Sequence, residues 1–104
     1  MRQFDVFPNP SRRSSQAFPL VTVLQSDLVF ETSSVLVAPF ARADHYTGSE
    51  KLFPVFVILG QRLGLGIIDL AAIPRNLLRG EPVTNLHVQR DRIVAAIDRV
   101  FFGF

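Results

Sequence analysis

The chain has 104 residues, of which 48% are hydrophobic and 19% charged, with a formal net charge of +2 and no cysteine. The missing cysteines exclude disulfides, thiolate nucleophiles and thiolate metal sites, and the mild basic excess does not define a nucleic-acid binder. One domain over residues 1–104 accommodates the length, and an apolar content this high in so small a body predicts a homodimer covering what one core leaves out.

In chain order, Gln3 to Phe7 reads as a first strand that alternates at first, with Phe4 and Val6 on one face and Gln3 and Asp5 on the other. The opening residues lack the apolar run of a signal peptide, and the chain fits a reducing cytoplasm. Leu20 to Leu24 and Val35 to Val37 are β-branched and apolar, as strands are. Val55 to Leu59 is a continuous apolar run, expected to be buried on both faces. Gly60-Gln61-Arg62 forms a turn into Leu63 to Ile68, where Gly64 and Gly66 share a face and predict curvature or close backbone approach. Polar loops lie at Asn9 to Ser15 and Arg42 to Lys51. Short strands, frequent turns and glycine at bends point to a small barrel. The most apolar stretch, Phe53 to Leu70, is interrupted by Pro54, Gly60, Gln61 and Arg62, so no membrane span is expected.

The end of the chain reads differently. Leu86 to Phe101 contains no Gly or Pro, and Ile93, Ile97, Val100 and Phe104 follow a helical stripe with Ala96 beside it. Asn85 is placed to cap the start and Gly103 to end the helix. Phe102 falls off the stripe, one turn beyond Asp98. A large aromatic on the polar side of a terminal helix either folds back onto the body or serves as a protein-binding hot spot.

Residues for chemistry are sparse. His45 and His87 are the only histidines and have no metal-ligand spacing. Asp69, with Arg75 and Arg79 behind it, has the composition of a general base with phosphate-binding arginines, although a capping acid and a solvated face have the same pattern. Arg12-Arg13 reads as a solvated loop or a contact to an acidic partner or DNA. No cofactor motif is present, and the protein is expected not to be an enzyme.

Several segments, in order and spacing, resemble the CcdB family of toxins from ccd toxin–antitoxin modules. They are Gln3-Phe4-Asp5-Val6-Phe7, Val23-Leu24-Gln25-Ser26-Asp27, Val37-Ala38-Pro39-Phe40, Leu52-Phe53-Pro54-Val55, Asp69-Leu70-Ala71-Ala72-Ile73-Pro74 and Ala96-Ile97-Asp98-Arg99-Val100-Phe101-Phe102-Gly103-Phe104. The resemblance implies a mainly β chain with a C-terminal α-helix, an SH3-like barrel of the CcdB/MazF type that forms a homodimer. It implies binding to the A subunit of DNA gyrase and trapping of the enzyme's cleaved DNA complex. A CcdA-like antitoxin would neutralise the toxin, and operator DNA would be bound only by the toxin–antitoxin complex. The gyrase-binding positions it implies are Phe102, Gly103, Phe104, Asp98, Phe4, Ser26, Leu28 and Val29. Phe102 stands where the family usually has tryptophan, Phe104 where it has isoleucine, and Asp98 where it often has a neutral amide. The rival from another class is an endoribonuclease of the MazF or Kid type, which shares the barrel, with Asp69 and Arg75 as its nearest catalytic candidates. A non-toxic homologue that only binds antitoxin is the third reading.

Overall fold

The computed structural model describes residues 1–29 and 32–104. Its strands are β1 (Asp5–Pro8), β2 (Leu20–Val23), β3 (Ser34–Arg42), β4 (Val55–Ile58), β5 (Gln61–Leu65), β6 (Ala71–Pro74) and β7 (Thr84–Asn85), and its helix is α1 (Arg90–Phe102). All pairings are antiparallel, in the order β4-β5-β3-β2-β1-β7, with β6 also paired to β3. The protein is mainly β, a curled sheet approaching a barrel with one C-terminal helix. The helix joins the two ends of the sheet. It follows β7 through a 3-10 turn at His87–Gln89, and its Arg92 Nη2 donates to the Val55 carbonyl of β4 at 2.7 Å.

β3 is long enough to hold β2 on one side and both β5 and β6 on the other. Its alternation serves two cores. Ala38 and Phe40 face the main core with Phe4, Val6, Phe56, Leu63, Leu65, Ile67, Ile93 and Ala96. Val35 and Val37 face a second cluster with Phe7, Val21, Val23 and Leu78. β1 therefore has two buried faces, and Asp5 is only 5% exposed. Its carboxylate is satisfied by the Arg2 N–H at 2.7 Å and the Asn85 side-chain amide at 3.0 Å, which removes the cost of burying it.

The second correction concerns Val55 to Leu59. Phe56 and Ile58 are buried, whereas Val57 is 69% and Leu59 75% exposed. The run is half-buried because Phe56 and Ile58 face the main core, while nothing among the described residues covers the opposite face of β4 at Val57. The turn also falls one residue earlier than expected. Ile58 pairs with Gln61, and Leu59 and Gly60 form the two-residue connection with φ of 53° and 75°. Two successive positive φ values match the twist of a tight hairpin and are costly for leucine.

Within α1, Ile93 and Ala96 are buried, while Ile97 and Val100 are half-buried against the main core. The Asn85 carboxamide oxygen accepts from the His87 N–H at 2.7 Å, an Asx turn that leads into the 3-10 turn, and Asn85 does not cap α1. Gly103 ends α1 as expected, at φ 81° with its N–H on the Arg99 carbonyl at 3.0 Å. That left-handed residue turns the chain out of the helix. Phe104 consequently leaves the core stripe and is 81% exposed.

Gly66 is the close approach its sequence context predicts. A Cβ there would collide with the ring and hydroxyl of Tyr46. Tyr46 is held by its hydroxyl donating to Asp69 Oδ2 at 2.8 Å and by its ring stacking on Phe53 at 4.8 Å. Burial raises the Tyr46 phenol above its ordinary range, and the hydrogen bond to Asp69 and the carboxylate's negative charge raise it further. A raised folded pKa stabilises the fold below the unfolded value of about 10, and that contribution is lost as pH climbs towards the folded value. Tyr46 is the only tyrosine. Ultraviolet titration should therefore show no tyrosinate in the folded protein at about pH 11, where a free phenol is mostly ionised. Tyrosinate appearing while the protein remains folded at that pH would contradict the Tyr46–Asp69 bond.

Candidate functional site

The helix tip is the most exposed apolar feature of the chain's end. Phe101 is 57%, Phe102 66% and Phe104 81% exposed. Phe102 lies within α1, so it does not fold back onto the body. Its ring is stacked with that of Phe104, centroids 6.2 Å apart and planes 24° apart, and the Phe101 ring lies 6.3 Å from it. Gly103 makes this possible, because its left-handed conformation brings Phe104 alongside Phe102. Three solvated aromatic rings on a rigid helix end form a protruding apolar knob. Asp98, one turn earlier, is half-buried at the base of the knob.

Ser26, Leu28 and Val29 form a second group. The Ser26 hydroxyl accepts the Leu28 N–H at 3.1 Å and the Ser26 carbonyl accepts the Val29 N–H at 2.9 Å, a tight turn that leaves Leu28 88% and Val29 48% exposed. The turn is tied to the N-terminus by Asp27 Oδ1, which accepts the Gln3 N–H at 2.7 Å, and by the Gln3 side-chain amide, which donates to the Leu24 carbonyl at 2.9 Å. A cleft of about 250 Å³ opens here among Met1, Gln3, Ser26, Asp27, Val29 and Arg75.

Phe4 is buried, at 1% exposure, and offers no surface to a partner. It instead joins the turn to the helix base. Its N–H donates to the Val23 carbonyl at 2.8 Å, and its carbonyl accepts the Leu86 N–H at 3.0 Å. Its φ of 67° is a left-handed value that costs a phenylalanine about 1 kcal/mol or more, offset by those bonds and by core burial. The structure thus holds the Ser26–Val29 turn beside the N-terminus, where Asp27 shares a cleft with Arg2, Gln3, Asn85 and His87, and gathers Asp98, Phe102, Gly103 and Phe104 at the C-terminal end of α1. The 13 residues of the helix separate its ends by about 20 Å.

The candidates for chemistry are not assembled. Asp69 holds Tyr46, whereas Arg75 donates through Nε to the Thr32 carbonyl at 2.9 Å. They line different clefts, Asp69 beside Asn9 and Ile73, Arg75 beside Met1 and Val29. His45 sits edge-on between Phe18 and Tyr46, 5.2 and 4.8 Å away. His87 is exposed. Among the described residues no group of three His, Asp or Glu side chains is placed to hold a metal ion. No helix among them is long and apolar enough to cross a membrane.

One residue that sequence reading passed over is Arg92. It bonds Val55 and also Gln89 Oε1 at 2.6 Å, and its guanidinium lies 4.4 Å from the Phe56 ring centroid. The contacts to Val55 and Phe56 fasten the helix to β4, and the bond to Gln89 orients the guanidinium from the helix start. The only local signal was the Gln89–Arg92 spacing; Val55 and Phe56 are far away in sequence.

A curled sheet closed by one terminal helix is consistent with the fold of the CcdB family of toxins from toxin–antitoxin modules. The chain belongs to the CcdB family: the family model described as CcdB protein matches residues 3–103, nearly its whole length. No curated protein matches the chain.

Proposed function

We propose that this toxin binds the A subunit of DNA gyrase through the tip of α1 and traps the enzyme's cleaved DNA complex. The observation that carries the reading is the stacked, solvated pair Phe102 and Phe104 around Gly103, in a chain of the CcdB family. An aromatic displayed on a rigid helix loses little conformational entropy on binding and buries a large area, which are the properties of an interface anchor. Asp98, Ser26, Leu28 and Val29 are proposed to complete the gyrase surface, with Phe4 acting from beneath it by fixing the turn. Two copies in a homodimer would present two tips. A CcdA-like antitoxin would neutralise the toxin in the cytoplasm, and the pair, not the toxin alone, would bind operator DNA. The protein is proposed to act without a cofactor and without catalysing a reaction itself.

Expression in bacteria carrying wild-type gyrase should arrest growth, and expression in bacteria carrying toxin-resistant gyrase should not. Equal arrest in both strains would refute the target. The ribonuclease reading gains no support from the geometry, because Asp69 and Arg75 are committed to Tyr46 and Thr32.

A further inference from the structure

The connection from β2 to β3, residues 24–33, carries the turn that the gyrase reading uses, and Leu28 on that turn is exposed. A connection of this length loses much conformational entropy when it is ordered, and an exposed side chain gains no packing to offset the loss. Hydrogen bonds must therefore place the turn. On its incoming side Asp27 is tied to the Gln3 N–H. On its outgoing side the ties converge on Thr32 and Ser33, and they come chiefly from Arg75.

Pro74 stands opposite Ser34 in the pairing of β6 with β3, which sets Arg75 beside Ser33. The Arg75 N–H donates to the Ser33 carbonyl at 2.9 Å. Its guanidinium takes both oxygens of Thr32, Nε on the carbonyl at 2.9 Å and Nη2 on the hydroxyl at 3.4 Å, while Nη1 meets Met1 Sδ at 3.6 Å. A planar fork holds two oxygens of one residue at a fixed spacing, which a lysine ammonium does not. The Thr32 hydroxyl also accepts from Gln25 Nε2 at 3.5 Å, and the same nitrogen donates to the Val29 carbonyl at 2.6 Å. Gln25 Oε1 accepts the Leu36 N–H at 2.9 Å, which anchors this side chain to β3. The bonds thus run from Arg75 through Thr32 and Gln25 to Val29, and Arg75 and Val29 line one cleft.

We propose that Arg75 is a positioning residue for gyrase binding: its fork on Thr32, passed on through Gln25, holds Leu28 and Val29 in the conformation that gyrase takes up. The inference rests on the gyrase reading and adds to it a residue that acts through the turn without touching the partner. Its effect on affinity is one of population. If loss of the fork leaves the turn in its bound conformation in about a tenth of the molecules, the apparent Kd rises about tenfold.

The experiment has two arms on the full-length protein. In the first, without gyrase, Arg75→Ala should speed hydrogen exchange at the Val29 and Leu36 amides, which are bonded to the Ser26 carbonyl and to Gln25, and leave the Gly103 amide at the helix tip unchanged. In the second, calorimetry against a gyrase A fragment, Arg75→Ala should weaken binding about tenfold and Arg75→Lys less. The same substitution in a chain already carrying Leu28→Ala and Val29→Ala should cost about twofold or less, since no side chain remains to be positioned. In a Phe104→Ala chain it should again cost about tenfold, because distant sites add. Equal losses in all three backgrounds would mean that Arg75 touches gyrase itself and would overturn the proposal. Unchanged exchange at Val29 and Leu36 would overturn it as well. A parent chain that fails to bind the fragment would instead defeat the gyrase reading, and the exchange arm would still decide whether Arg75 holds the turn.

Discussion

Phe102→Ala should weaken gyrase binding severely while leaving the fold as it is. Removing a central interfacial aromatic costs about 2–4 kcal/mol, a loss of about thirtyfold to a thousandfold in affinity. The effect on stability should be small, because Phe102 is 66% exposed and its ring contacts are with Phe101 and Phe104, which are themselves exposed. Calorimetry against a gyrase A fragment measures the first quantity, and a thermal melt the second. Phe104→Ala should give a smaller loss of affinity, since Phe102 keeps its place on the helix without it. Full toxicity in Phe102→Ala cells would remove the helix tip from the mechanism.

Ile93→Ala should do the opposite. Ile93 is fully buried among Phe4, Phe40, Phe56 and Leu65, on the face of α1 that closes the main core. Truncation removes its transfer free energy and leaves a cavity that the surrounding strands cannot fill, at a cost of about 2–5 kcal/mol. In a domain of this size each kcal/mol lowers Tm by about 4–8 °C, so a fall of about 10 °C or more is expected. Ile97, equivalent to Ile93 by spacing alone, is half-buried and makes a weaker control. A melt of Ile93→Ala that matches the parent would show that α1 is not part of the core. If the two variants exchanged phenotypes, the faces of the helix would be assigned the wrong way round.

What the sequence determined by itself was mostly what local periodicity and local backbone chemistry specify. The 3.6-residue spacing of Ile93, Ala96 and Ile97 identified the core side of α1 and left Phe102 off it, and glycine at 103 marked the stop. Gly66 announced a close approach, although not that its neighbour would be Tyr46. The CcdB resemblance was legible because it rests on the order of many short segments, and the family match bears it out.

Only the tertiary structure decided the rest, because each point depends on partners distant in the chain. An apolar run such as Val55 to Leu59 has the same composition whether one or both faces of its strand are covered; only packing decided that the face bearing Val57 stays open. β6 and the two-residue β7 have little strand character of their own and exist through pairing with β3 and β1. Alternation put Asp5 on the face opposite Phe4 and Val6; only the structure shows that a second core cluster covers that side of the sheet and that Asn85, eighty residues on, satisfies its carboxylate. Phe104 followed the helical stripe on paper, yet one left-handed residue at Gly103 redirected it onto Phe102 and so built the exposed tip. Sequence spacing fixes which side chains share a face of one element; which faces meet, and which remain in water, is set by long-range packing.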